Sequence, residues 1–380
     1  MDKVSVVAPE QGPMYWADVP LRGPDPGKWS DVPQFMDLVG HGEVCNFGIR
    51  LKAHGVAGAY KGIHINARLS RSSCKDGQIV ISAGSDPSYD NIVRIGALAS
   101  GDFDKSQLSL AVLSKLDFSR IAPCDIHLGI VSPIGVGASL GTSAAMSVGI
   151  LRTFLGSGYP ADEIAMMALD AEANIAGRNT GNQDQIASAY GSALAPSACQ
   201  SIRVRSLFGF DVASIAVGSR IRDIFNHTLA VYIGGHDSSD IHHALISELL
   251  GREDAAKEKI RAIRECASLA RRSVQDDDDR AYGDACKSLL KAQTALSPNL
   301  VNATALSLMN LAEECSDEVL RNDGMCIPGA GGRGGTLILH MHTDEAIARF
   351  AERLTGNPAF EGCRIYDVRL ADQPVLDLPR

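Results

Sequence analysis

A strand, a glycine-rich turn and a helix in immediate succession constrain this chain more than any other stretch. Asp125-Ile126-His127-Leu128-Gly129-Ile130-Val131 alternates apolar and polar side chains and predicts a strand. Ala144-Ala145-Met146-Ser147-Val148-Gly149-Ile150-Leu151 predicts a helix that runs to about residue 154. Between them lies Pro133-Ile134-Gly135-Val136-Gly137-Ala138-Ser139-Leu140-Gly141-Thr142-Ser143. Glycines let the backbone approach a ligand closely. The first N–H groups of a helix have no partner within it, and its dipole favours negative charge there. Capping such a helix needs one hydroxyl. This turn has Ser139, Thr142 and Ser143 together with Gly135, Gly137 and Gly141, so it reads as a phosphate cradle. It is not a GxxxxGK[ST] loop, because the lysine is missing.

The 380 residues, 45% of them hydrophobic, suffice for a large core, and the length suggests two or three domains or lobes. A net charge of −9 argues against nucleic acid as the main partner, while leaving room for a nucleotide in a local site. No apolar run reaches the roughly 20 residues needed to span a bilayer. The N-terminus lacks the basic and apolar regions of a signal peptide. Nine dispersed cysteines, without a CxxC pair, fit buried reduced thiols, and the expected location is cytoplasmic.

Residues 8–33, rich in Pro and Gly, read as an irregular lead-in. Phe35-Met36-Asp37-Leu38-Val39, residues 58–67 and residues 78–82 predict strands, and residues 108–116 a helix. A second helix is expected over residues 161–176, followed by a polar turn, Gly181-Asn182-Gln183-Asp184-Gln185. Strands resume near residues 201–204 and 228–233. Helices fill residues 238–320, and the chain closes as strand, helix, strand. The order predicts an α+β fold of two lobes, residues 1–210 and 211–380.

Two carboxylates stand out beside the cradle. Transfer of a phosphoryl group to a hydroxyl needs one carboxylate for Mg2+ and one to accept or orient the hydroxyl proton. Glu172 and Asp184 are the candidates, although on spacing alone a solvated helix face and a turn explain them as well. Pro328-Gly329-Ala330-Gly331-Gly332-Arg333-Gly334-Gly335 precedes a strand, where a dinucleotide fingerprint would precede a helix. In Gly234-Gly235-His236-Asp237-Ser238-Ser239-Asp240-Ile241-His242-His243 the adjacent histidines diverge on a helix, which disfavours a metal and favours substrate hydrogen bonds.

Taken in order, these blocks resemble the GHMP kinases, which include galactokinase, homoserine kinase and mevalonate kinase. Ser139-Leu140-Gly141-Thr142-Ser143-Ala144 resembles the family's Gly-Leu-Gly-Ser-Ser-Ala core. Gln183-Asp184-Gln185 with Ala189-Tyr190-Gly191 resembles its sugar-1-kinase branch. His236-Asp237-Ser238-Ser239 and Arg364-Ile365-Tyr366-Asp367-Val368-Arg369 resemble the heptose-7-phosphate kinase and fucokinase group. The resemblance implies an N-terminal lobe like ribosomal protein S5 domain 2 and a ferredoxin-like C-terminal lobe with a helical block. It implies an ATP- and Mg2+-dependent kinase acting on the anomeric hydroxyl of a sugar or sugar phosphate, with a homodimer as the oligomeric expectation.

By matching positions, Gly135, Gly137, Ala138, Ser139, Leu140, Gly141, Thr142 and Ser143 would wrap the triphosphate. Ser143 and Glu172 would hold Mg2+, and Asp184 would be the base. Asp37, His41, Gln183, Asp184, His236, Ser238, Gly331 and Gly332 would meet the acceptor. The family's first block begins Pro-x-Arg. Aligned on Pro33, Phe35 replaces that Arg, and His41 replaces a Glu. Arg178, Lys52 or Arg333 would then have to supply the missing cation. A nucleotide-binding pseudokinase and a kinase for a non-sugar alcohol are the competing readings.

Overall fold

The computed structural model describes residues 3–6, 14–72, 76–84, 90–119, 121, 124–135, 137–193, 198–235, 238–249, 252–316, 322–329, 331, 332 and 334–371. Two sheets organise them. The smaller has the order Met14–Val19, Ile63–Arg71, Cys124–Val131, Gln78–Ser82, Asn91–Arg94. Its alternating strands bury Ile63, Ile65, Ala67, Ile126 and Leu128 on one face. The helix Thr142–Leu155 lies on that face, and Gly149 allows the close approach, since a Cβ there would sit 2.6 Å from Ile65 Cγ1.

The larger sheet runs Gly209–Ile215, Cys199–Ser206, Gly42–Ala53, Arg364–Leu370, Thr228–Gly234, Gly335–Met341, Asn322–Cys326, with Leu21–Arg22 also paired to Gly42–Ala53. The expected division at residue 210 falls inside the hairpin of Cys199–Ser206 and Gly209–Ile215, and the sheet carries strands from both sides of it. The helices Glu253–Gln275 and Asp279–Leu296 cover its middle as a helical hairpin, the second capped by the Asp278 side chain on Ala281 N–H. Ala303–Glu314 and Asp344–Thr355 bury a second apolar cluster, with Leu337, Leu339 and Phe350, against the far end.

Several sequence expectations are corrected. Residues 35–39 belong to a helix, Pro33–Val39, which starts at a proline and stops at Gly40 in the left-handed conformation. Part of the irregular lead-in is ordered as the strands Met14–Val19 and Leu21–Arg22. The polar turn is a helix, Gln183–Gly191, with Asp184 in its first turn. The helix Ala161–Asp170 passes into a π-helical turn, Ala171–Ile175.

Candidate active site

Three left-handed positions spaced two apart shape the phosphate turn: Gly137, Ser139 and Gly141, with φ of 71°, 61° and 66°. Ser139 thus takes, at a cost of about 1 kcal/mol, a conformation that glycine takes freely. Gly141 is the N-cap of Thr142–Leu155 and brings no capping side chain, so the first N–H groups of that helix are left for an anion. The turn is tied from outside. Arg22 N–H donates to Leu140 C=O at 3.0 Å, and the Thr336 hydroxyl donates to Ala138 C=O at 2.7 Å. Val136 of the turn lies outside the described residues.

Asp184 meets this turn. A Cβ on Gly141 would lie 2.8 Å from Arg22 Cγ and 3.4 Å from Asp184 Cγ, which places the catalytic candidate beside the phosphate cradle. Arg22 grips the Asp184 carboxylate with both Nε and Nη2, the latter at 3.1 Å from Oδ2. Burial works against the guanidinium charge, but Asp184, Asp25 and Asp31 outweigh it and raise its proton affinity above the ordinary value. Arg22 thus places beside Asp184 a positive charge that Phe35 cannot supply. Its signal, Pro20-Leu21-Arg22, repeats the Pro-x-Arg pattern thirteen positions before the alignment on Pro33. Of the three proposed substitutes, Lys52 pairs with Asp367 at 3.4 Å, Arg178 donates to Ser106 C=O and lends its charge to Glu172, and Arg333 lies outside the described residues.

Glu172 is buried in the π-helical turn, a distortion that recurs at functional sites. Its Oε2 accepts from Gln185 Nε2 at 2.7 Å, and the Ser143 hydroxyl also bonds it. The helix that carries Asp184 thus fixes Glu172 through Gln185. Burial raises the Glu172 carboxyl above its ordinary value, against Arg178, Gln185 and Ser143, which lower it. A buried carboxylate next to a hydroxyl is an oxygen donor pair suited to a hard divalent cation. Among the described residues no cluster of three or more His, Cys, Asp or Glu side chains forms a fuller cage.

Beside Asp184 the structure places Asp31, which the sequence reading does not name, and it puts Asp37 and His41 in other surroundings. Asp37 is exposed on the helix Pro33–Val39. His41 is engaged by Glu43 at 3.1 Å and by Arg264. Both were chosen by the alignment on Pro33, which the pairing of Arg22 with Asp184 displaces. Asp31 Oδ2 accepts the Gln183 N–H at 3.2 Å, and burial, with Asp184 nearby, pushes its carboxyl up to about 6. Gln183 is held by Asn46 Nδ2 at 3.2 Å. Trp29, buried at φ 75°, packs on His242 with ring centroids 4.7 Å apart, and burial lowers the proton affinity of that imidazole. His236 lies outside the described residues, and Ser238 opens the helix Ser238–Leu249. Gly331 and Gly332 pack on residues 300–302, where Gly332 N–H donates to Leu300 C=O at 2.9 Å. It is Gly329 that reaches the site: a Cβ there would lie 2.7 Å from Ser139 C=O and 2.8 Å from Arg22 Nη2.

The family model described as GHMP kinases N terminal domain matches residues 107–192. A search of curated proteins gives no match. Among solved structures, a D-glycero-D-manno-heptose 1-phosphate kinase from Bacteriodes thetaiotaomicron is 16% identical, with a TM-score of 0.63 over 94% of this chain and 96% of that one. Lactococcus lactis galactokinase, solved with galactose, is 14% identical, with a TM-score of 0.64 over 95% and 94%. Methanococcus jannaschii mevalonate kinase is 13% identical, with a TM-score of 0.63 over 95% and 99%. At these identities the likeness is one of fold. Residues 107–192 thus match the GHMP kinase N-terminal domain model, and the chain shares the fold of these solved kinases along nearly its whole length.

Proposed function

We propose that the chain is an ATP- and Mg2+-dependent kinase that phosphorylates the anomeric hydroxyl of a sugar or sugar phosphate, of the heptose-7-phosphate kind. The observation that carries this reading is the Arg22–Asp184 pair held against Gly141 of the phosphate turn. The N–H groups at the start of Thr142–Leu155 bind the transferring phosphate chain, as helix N-termini bind anions. Asp184 orients the acceptor hydroxyl and takes its proton at a carboxylate oxygen. Arg22 fixes that carboxylate and places a positive charge where negative charge gathers during transfer. Ser143 and Glu172 would hold Mg2+, which when bound neutralises phosphate charge. Asp31 and the Gln183-Asp184-Gln185 segment support a polyhydroxylated acceptor over a simple alcohol, because they add buried hydrogen-bonding groups beside Asp184.

ATP turnover over a panel of aldoses and aldose phosphates tests the reading. Activity on an anomeric hydroxyl is expected, and Asp184→Asn should lower kcat by about 100-fold or more. Turnover that survives Asp184→Asn unchanged would remove Asp184 from its role. Nucleotide binding without transfer to any acceptor would favour a pseudokinase.

A further inference from the structure

The Arg22 guanidinium has a third partner. Asp25 is fully buried, and its Oδ2 accepts from Arg22 Nη1 at 2.7 Å and from the Gly329 N–H at 2.9 Å. Its Oδ1 faces Lys28 Nζ at 4.0 Å and has no hydrogen-bond partner among the described residues. Lys28 is itself buried, and that burial depresses its ammonium to about 8 against the pull of Asp25. One carboxylate therefore touches both the residue that holds Asp184 and the glycine loop that abuts the phosphate turn at Ser139. A guanidinium is a rigid planar fork, so fixing Nη1 fixes the plane in which Nε and Nη2 meet Asp184.

We propose that Asp25 is a positioning residue that sets the plane of Arg22, and through it the Asp184 carboxylate, and that makes this setting depend on Gly329 being seated. The inference rests on reading Asp184 as the group that acts on the acceptor hydroxyl. Asp25→Asn keeps size and removes the charge. Because Oδ2 serves both the Gly329 N–H and Arg22 Nη1, an amide oxygen there holds both more weakly and turns the NH2 group toward the Lys28 ammonium, while an NH2 group there holds neither. Arg22 would stay bound to Asp184 but lose its fixed plane. Misplacement of a reacting group costs rate, while the N–H groups that bind phosphate are untouched.

The test uses the full chain. Asp25→Asn should lower kcat by about 10–100-fold with KM for ATP within about twofold, and Asp25→Glu should recover part of the loss by restoring the charge. Wild-type kcat in Asp25→Asn would overturn the proposal. A double-mutant cycle of Asp25→Asn and Asp184→Asn, read in unfolding free energy, needs no turnover: coupling through Arg22 makes the two effects non-additive, and additivity overturns the inference. If the wild-type protein phosphorylates no acceptor, the kinase reading falls while the cycle still decides the role of Asp25. Should Asp25→Asn not fold, Asp25→Asn with Lys28→Met removes the cation with its counter-charge and is measured in the same two ways.

Discussion

At the scale of single residues, the site is a small set of buried charges that hold one another. Asp31 is the member with a measurable consequence in pH. Its folded value, about 6, is raised above the ordinary carboxyl value, first by burial and then by Asp184, against the Gln183 N–H and Arg22. The folded protein therefore holds this proton more tightly than the unfolded chain. The resulting stability is complete below the ordinary value near 3.8 and is lost as pH rises through about 6. Between pH 4 and 6, wild-type protein should lose about 1–3 kcal/mol relative to Asp31→Asn, as followed by denaturant unfolding. A constant difference over that range would place the Asp31 proton elsewhere. Much of the candidate site is legible in the sequence, because a glycine-hydroxyl turn and a Gln-Asp-Gln segment carry their chemistry in their letters. Arg22 and Asp31 are not, because a Pro- and Gly-rich lead-in shows no period. What gives those residues meaning is their burial against Asp184, which only tertiary structure supplies.

At the scale of elements, the phosphate helix and the Asp184 helix are locked together at the ends far from the chemistry. Arg152, fully buried on Thr142–Leu155, donates to the Gly156, Ser157 and Tyr159 carbonyls and across to Ala189 C=O at 3.0 Å. One side chain thus closes the C-terminus of the first helix and ties it to Gln183–Gly191. Burial alone lowers the Arg152 proton affinity, to about 10, so it is charged at neutral pH. Arg152→Leu should destabilise the protein by about 3–5 kcal/mol, because it strands several buried carbonyls. Thermal unfolding measures this, and a loss below about 1 kcal/mol would deny the clamp its role. Helices with long apolar periods were read correctly from sequence. The five residues 35–39 were misread as strand, since so short an apolar run fits either period. The strand Gly42–Ala53, the pivot of the larger sheet, shows no clear period in the sequence. It is buried on both faces and carries Asn46 and Arg50 inside, where the Arg50–Asp18 ion pair at 2.9 Å replaces the apolar alternation a half-buried strand would show.

At the scale of the whole molecule, the larger sheet decides how the chain behaves as a unit. Ile49 of Gly42–Ala53 is paired with Leu370 of Arg364–Leu370, and that strand in turn pairs with Thr228–Gly234. Stopping the chain before Arg364 should leave both neighbours with an open edge and abolish cooperative unfolding in calorimetry, in the N-terminal part as well as the C-terminal part. Retention of a sharp transition for the N-terminal part would show that it folds without the last strand. The same pairing sets a clock on the ribosome. Roughly 300 residues are made between one partner and the other, which at about 5–20 residues per second is on the order of 15–60 s. For that interval Gly42–Ala53 offers unsatisfied N–H and C=O groups to any strand that comes near, including the same strand of a neighbouring nascent chain. A protein whose central strand waits for its last one should depend on chaperones for its yield more than its finished stability would suggest.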